Sequence, residues 1–327
     1  DIGGWDVSSG NDFSGMFYAA EKFNQNIGSW DVSSGTDFVD MFADATSFNQ
    51  DIGDWDVSSG TDFSYMFANW EGSTFNQDIG GWDVSSGTNF YGMFLSHGNS
   101  VFNQDIGSWD VSNGTNFDSM FEGATEFNQD IGDWDISKAT DLGEMFAEAT
   151  SFNQDIGGWD LSSVLDASSM LRGATSFNHD ITKWDVSSVK DFEAMFAFTS
   201  FNQDIGDWAV RSGTDYAYMF LGATSFNQDI RNWDVSNSES FYGMFSFATD
   251  FDKDLRDWEV DSVDELHHMF YGADQMLDNG WSATPNISDF TGGGSTDTTN
   301  SDSSNGSSSE SGGNETLSES SSSYEFT

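Results

Sequence analysis

WDVSSGTDFVDMFADATSFNQDIGD, residues 30–54, is the stretch that decides the fold, because it recurs along the chain with few changes. Trp30 heads it, and one tryptophan reappears in step at Trp5, Trp55, Trp82, Trp109, Trp134, Trp159, Trp184, Trp208, Trp233 and Trp258. The steps are 25 residues long, apart from two of 27 and one of 24. A Met followed by Phe (once by Leu) keeps pace with it, from Met16 through Met41 to Met269. A fixed period of this size marks stacked repeats: one unit cannot bury its own apolar face, so its neighbours must complete the core.

Two spacings are nested in the unit. Phe38, Met41, Phe42 and Ala45 fall at i, i+3, i+4 and i+7, which predicts one apolar stripe of a short helix. Thr36 stands where a helix N-cap would, Asp37 suits the positive helix end, and Ser33-Ser34-Gly35 supplies a turn before it. Trp30 and Val32 alternate with Asp31, which is strand spacing. The expectation is an α/β solenoid of eleven coils over residues 1–281, each a short parallel β-strand plus a short helix. At strand spacings of ~4.8 Å the eleven would span on the order of 50 Å. The chain opens inside a repeat, at Asp-Ile-Gly-Gly-Trp, and is read as a fragment or processed product whose leader and N-terminal cap are missing. From Ser282 to Thr327 the composition turns to Ser, Gly, Thr, Asn and acid without period, and a disordered acidic linker or tail is expected there.

Ile27-x-x-Trp30-x-Val32 carries the L-x-x-L-x-L skeleton of leucine-rich repeats. The fuller string, S-F-N-Q-D-I-G-x-W-D-V-S-S, resembles the BspA-like family of bacterial surface proteins, and the likeness recurs eleven times. The resemblance implies a leucine-rich-repeat-like fold and an extracellular, cell-surface role in adhesion. One departure stands out. The position after the strand that usually holds Asn or Cys is Gly35, Ala139, Val164 or Ser238, so Asn49, Asn76 and Asn103 of the F-N-Q string are the candidates for a substitute ladder.

Charge excludes more than it assigns. The 327 residues carry a formal net charge of −47, and no basic residue lies between Lys22 and Lys138. Nucleic acid and anionic membranes need Lys and Arg, so both are excluded as partners, while cations and basic proteins are attracted. Brine adaptation accounts for such a surface equally well, since salt screens the self-repulsion. Basic residues gather late, at Arg172, Lys183, Lys190, Arg211, Arg231, Lys253 and Arg256. Without cysteine there is no disulfide or thiolate metal site, and no apolar run of 18 residues exists to insert into a membrane.

Three acidic columns and one irregularity are the candidate sites. The Trp and Phe columns read as core, with sugar stacking as the lesser alternative. One Asp column follows Trp (Asp31, Asp56, Asp83), one precedes the helix stripe (Asp37, Asp62, Asp141), and one lies in the return loop: Asp51, Asp78, Asp105, Asp130, Asp155, Asp180, Asp204 and Asp229. Stacked carboxylates repel by around 1 kcal/mol per neighbour at surface dielectric, so something must offset them. Backbone N–H groups in turns are the favoured answer. The alternative is Ca²⁺ bridging the carboxylates, the one cofactor considered. Both 27-residue repeats add two residues after the Met-Phe pair, which predicts a bulge at Trp70, Glu71, His97 and Asn99, the candidate binding residues. The four histidines share no repeat position and no nucleophile accompanies them, so no enzyme is expected. The expected function is a non-enzymatic surface protein binding a protein or glycan ligand. The alternative is a filament or surface-layer subunit assembled head-to-tail from its own copies, with Ca²⁺ along the Asp ladders.

Overall fold

The computed structural model describes residues 2–290. Repeats lie side by side in sequence order, and single-residue parallel bridges run from Asp12 to Asp37, Asp62 and Asn89, and so on to Glu265. The bridges are made by the column expected to cap helices, and the Trp30–Val32 segment forms no strand. Its alternation does hold, with Trp30 and Val32 buried and Asp31 exposed. Turns closed by Trp30 N–H to Ile27 O (3.0 Å) and Gly35 N–H to Val32 O (2.8 Å) leave too little extended chain between them for a ladder. Side chains join the repeats there instead. The Trp55 indole N–H donates to Ile27 O of the preceding repeat at 3.1 Å, and equivalent bonds recur from Trp30 to Trp258.

The expected helix is also replaced. Within a repeat, N–H groups alternate between two kinds of acceptor. Met41 and Ala45 donate three residues back, to Phe38 O (3.2 Å) and Phe42 O (2.9 Å), whereas Phe38, Asp40 and Phe42 donate to Asp62, Ser64 and Met66 carbonyls of the next repeat (2.9–3.0 Å). An α-helix needs every N–H for its own i−4 carbonyl, so this sharing excludes it. The third residue of each turn takes a left-handed backbone, as at Asp40 (φ 54°) and Asp44 (φ 55°). Turns four residues long return the chain to the same side about as often as helical turns do, which is why Phe38, Met41, Phe42 and Ala45 are all buried as the stripe requires.

The core is columns of rings. Phe38 stacks on Phe63 at 5.5 Å and 1°, Phe42 on Phe67 at 5.6 Å, and Trp109 on Trp134 at 6.4 Å and 2°. Each buried ring of this size contributes roughly 1.5–3 kcal/mol relative to exposure. An Asn ladder runs beside them: Asn49 Oδ1 accepts Asn76 N–H (3.1 Å) and Gln77 Nε2–H (2.8 Å), and the pattern continues to Asn202. The Asn of the F-N-Q string does take the place of the missing one.

The two strands among the described residues are β1 (Gly72–Ser73) and β2 (Asn99–Ser100), paired in parallel, and they are the inserted residues of the two long repeats. The two helices, α1 (Asp274–Asp278) and α2 (Ile287–Phe290), lie beyond the repeats. Trp281 and Phe290 are buried against the last repeat, with ring centroids 5.1 Å apart. Order therefore continues past the expected boundary at residue 281, because this segment supplies the apolar cover that a further repeat would otherwise give. The rest of the expected tail, 291–327, falls outside the described residues.

Candidate functional site

Four positions in each repeat, the two before Met and the two after the Met-Phe pair, lie on the turns and outside the ring core, some buried in small clusters such as Ala43, Ala68 and Leu95 and others exposed or half-buried. They differ from repeat to repeat. Before Met66 stand Ser64 and Tyr65, before Met93 Tyr91 and Gly92, before Met120 Asp118 and Ser119, and before Met195 Glu193 and Ala194. The Trp, Phe, Asn-Gln and Asp columns, by contrast, are nearly uniform because they hold neighbours together. Variation is thus concentrated on one face.

At one end of that face the predicted bulge is present. Trp70 and His97 stand at the register that Ala holds in most repeats, and their rings meet at 6.2 Å and 33°. Tyr65 extends the group, 6.0 Å from Trp70 and 4.6 Å from Tyr91. Trp70 is 47% exposed. Glu71 is exposed, and its backbone lies hard against Gly98, where an added Cβ would come within 2.5 Å of the Glu71 carbonyl carbon. Asn99 pairs with Gly72 across the two strands. All four predicted binding residues are therefore brought to one flank.

Beside the bulge lies a recess of about 180 Å³, with Ser96, His97 and Gly98 on one side and Glu122, Gly123, Thr125 and Glu148 on the other. The carboxylates of the middle repeats continue from it. Burial pushes Asp118 and Glu122 up to about 7, with the Glu144 charge adding to the effect on Glu122. Burial likewise raises Glu193 to about 7 and Asp191 to about 6. Arg172 lies among them, 2.8 Å from Glu148 and 3.6 Å from Glu144. Sequence reading by column missed Asp118, Glu122, Glu148 and Glu193, since none recurs in its column; the signal was the variability itself.

The predicted metal residues behave differently. Asp51, Asp78, Asp105, Asp130, Asp155 and Asp204 each accept the N–H of the glycine two residues on, at 3.0–3.1 Å. Asp180 accepts from Thr182 N–H and Oγ1–H, and Asp229 is held by Arg231 at 2.7 and 2.9 Å. Asp31 and Asp37 accept Ser33 and Val39 N–H in the same manner, so all three columns serve the backbone turns. Among the described residues, no three His, Cys, Asp or Glu are grouped to hold a metal ion. Five of the late basic residues, Arg172, Arg211, Arg231, Lys253 and Arg256, pair with carboxylates; Arg256 bonds Asp254 at 3.0 Å and lies 5.1 Å over the Trp281 ring.

Recurrence of the unit, its residue-by-residue pairing with its neighbours, and one varied face define a tandem-repeat protein. The chain belongs to the family described as "Mycoplasma protein of unknown function, DUF285", which matches it three times, over residues 1–101, 71–184 and 173–283. No curated protein and no solved structure matches the chain. Among the described residues no helix is long and apolar enough to cross a membrane.

Proposed function

We propose that this chain is a non-enzymatic, extracellular surface protein of the BspA-like type, whose repeats wind as a leucine-rich-repeat-like solenoid and whose turn face binds a protein or glycan partner. The observation that carries the reading is the division of labour within the repeat. Positions that join neighbours are uniform, while the four outward positions range over Tyr, Asp, Glu, Arg, Gly and Ser. A scaffold with no partner would have no need to individualise one face. Exposed Trp70, Phe198, Phe247 and Tyr271 stand on that face, and aromatic residues are enriched where proteins meet partners. Closure of the last repeat by Trp281 and Phe290 favours this reading over head-to-tail assembly, which needs an open end.

The test is adhesion. Beads coated with the chain are expected to adhere to cell surfaces or immobilised glycans. A variant with the exposed and half-buried side chains of that face from Tyr91 to Glu193 set to Ser, its buried residues and its glycines kept, is expected to lose that adhesion, while Asp110→Asn, on the far column, retains it. Equal adhesion by a folded face variant would remove the proposal. Ca²⁺ along the return-loop Asp column is tested separately by calorimetry. With those carboxylates already accepting backbone N–H groups, no saturable heat and no rise in melting temperature are expected at matched ionic strength.

A further inference from the structure

The recess beside His97 exists because of a mismatch in length. Both 27-residue repeats carry the inserted strand pair, and the repeat after them does not, so residues 96–98 overhang a shorter neighbour. Gly123 lets the two levels approach: a Cβ there would sit 1.7 Å from Ser96 O. The step is thus built into the packing.

Its walls have a definite chemistry. Glu148 already holds a guanidinium, that of Arg172, so this register accepts one. Glu122, in the repeat before it, is only 12% exposed at its side chain, and its ion-pairing neighbour within 4 Å is His97 Nε2, at 4.0 Å, on an imidazole that is itself 52% exposed. The His97 imidazole lines the recess beside Glu122, and the Trp70 ring, outside that lining, packs 6.2 Å from it. A planar cation can stack on rings and bond a carboxylate at once, which a compact ammonium does less well. A recess of about 180 Å³ has room for the end of one side chain and not for a sugar chain. The chain's net charge of −47 draws a cationic partner toward it.

We infer that the recess receives the guanidinium of an arginine side chain presented by a partner protein, with Glu122 as its carboxylate and the His97 ring as its stacking surface. This deepens the reading of the turn face as an interaction surface and rests on it. Because Glu122 is raised to about 7, an arriving cation also drives it to ionise, so binding near neutral pH releases protons.

The probe is N-acetyl-arginine N-methylamide, titrated into the intact chain by calorimetry in two buffers of different ionisation enthalpy, with the citrulline analogue as its neutral counterpart. The expected result is saturable binding of the arginine probe alone, with proton release. Affinity should fall at least tenfold in Glu122→Gln and severalfold in His97→Ala, and stay unchanged in Asp110→Asn. Thermal melts check that each variant folds, and Glu148→Gln replaces Glu122→Gln if the latter does not. Absence of saturable binding overturns the inference. So does equal weakening by Asp110→Asn, which marks diffuse attraction to a polyanion. Neither result touches the adhesion test, in which the whole face is altered.

Discussion

Asn128 shows how much one side chain carries when it is repeated. Its Oδ1 accepts Asn153 N–H at 2.9 Å and Gln154 Nε2–H at 2.8 Å, while its own N–H donates to Asn103. Asn128→Ala removes the acceptor of Asn153 N–H, while Gln154 Nε2–H keeps its 2.8 Å bond to the backbone carbonyl of residue 128, and should cost about 1 kcal/mol, read as a lower denaturation midpoint. Gly123 is constrained more tightly, by its φ of 65° and by the carbonyl of Ser96. Gly123→Ala should destabilise by at least about 1–2 kcal/mol from backbone handedness, before the overlap is relieved. Ala19 has the opposite problem, an exposed methyl at φ 54°, so Ala19→Gly should raise the melting temperature by up to about 1 kcal/mol in equivalent stability. At this scale the sequence was legible where residues recur. The Trp, Phe and Asn columns declared their neighbours by period, whereas Glu122 and Glu148 did not, since each stands alone in its column and gains its setting from residues 24 to 27 positions away.

At the level of elements, period misled. A stripe at i, i+3, i+4 and i+7 signals a helix only when the chain's own carbonyls take its N–H groups, and periodicity cannot say where those hydrogen bonds go. Here alternate N–H groups cross to the next repeat, and left-handed residues at Asp40, Tyr65, Ser119, Glu144 and Ser169 interrupt any helical run. The cue was present in part, because Gly15, Gly92 and Gly243 hold the same turn position in other repeats. Far-ultraviolet circular dichroism of the chain is accordingly expected to show little helical signal. A strong helical spectrum would contradict the turns. The inserted strands were legible as a bulge but not as strands, for two residues carry no alternation to read.

For the whole molecule the decisive quantity is charge against burial. Asp118, Glu122 and Glu193 near 7 and Asp191 near 6 bind protons more tightly folded than unfolded. Their contribution is complete below the usual carboxylate range and is lost as pH rises through about 6–7. Hydroxyl bonds from Ser8, Ser33, Ser85 and Thr182 act the other way on Asp6, Asp31, Asp83 and Asp180, whose lowered values make stability fall as pH drops below the same range. The melting temperature should therefore peak near the ordinary carboxylate values, at about pH 4, and decline on both sides, a profile differential scanning calorimetry would record. A maximum above pH 8 would mean that the turn-face carboxylates ionise freely.

The tryptophan bond from each indole to the preceding Ile carbonyl has an evolutionary corollary. Every regular junction is bonded alike, so excising one whole period, such as residues 130–154, joins Gln129 to Asp155 with the Trp, Phe and Asn column contacts re-formed by equivalent residues. Unequal crossing-over within the gene can shorten or lengthen the protein without redesigning a single junction, and the reach of the molecule becomes a heritable dial.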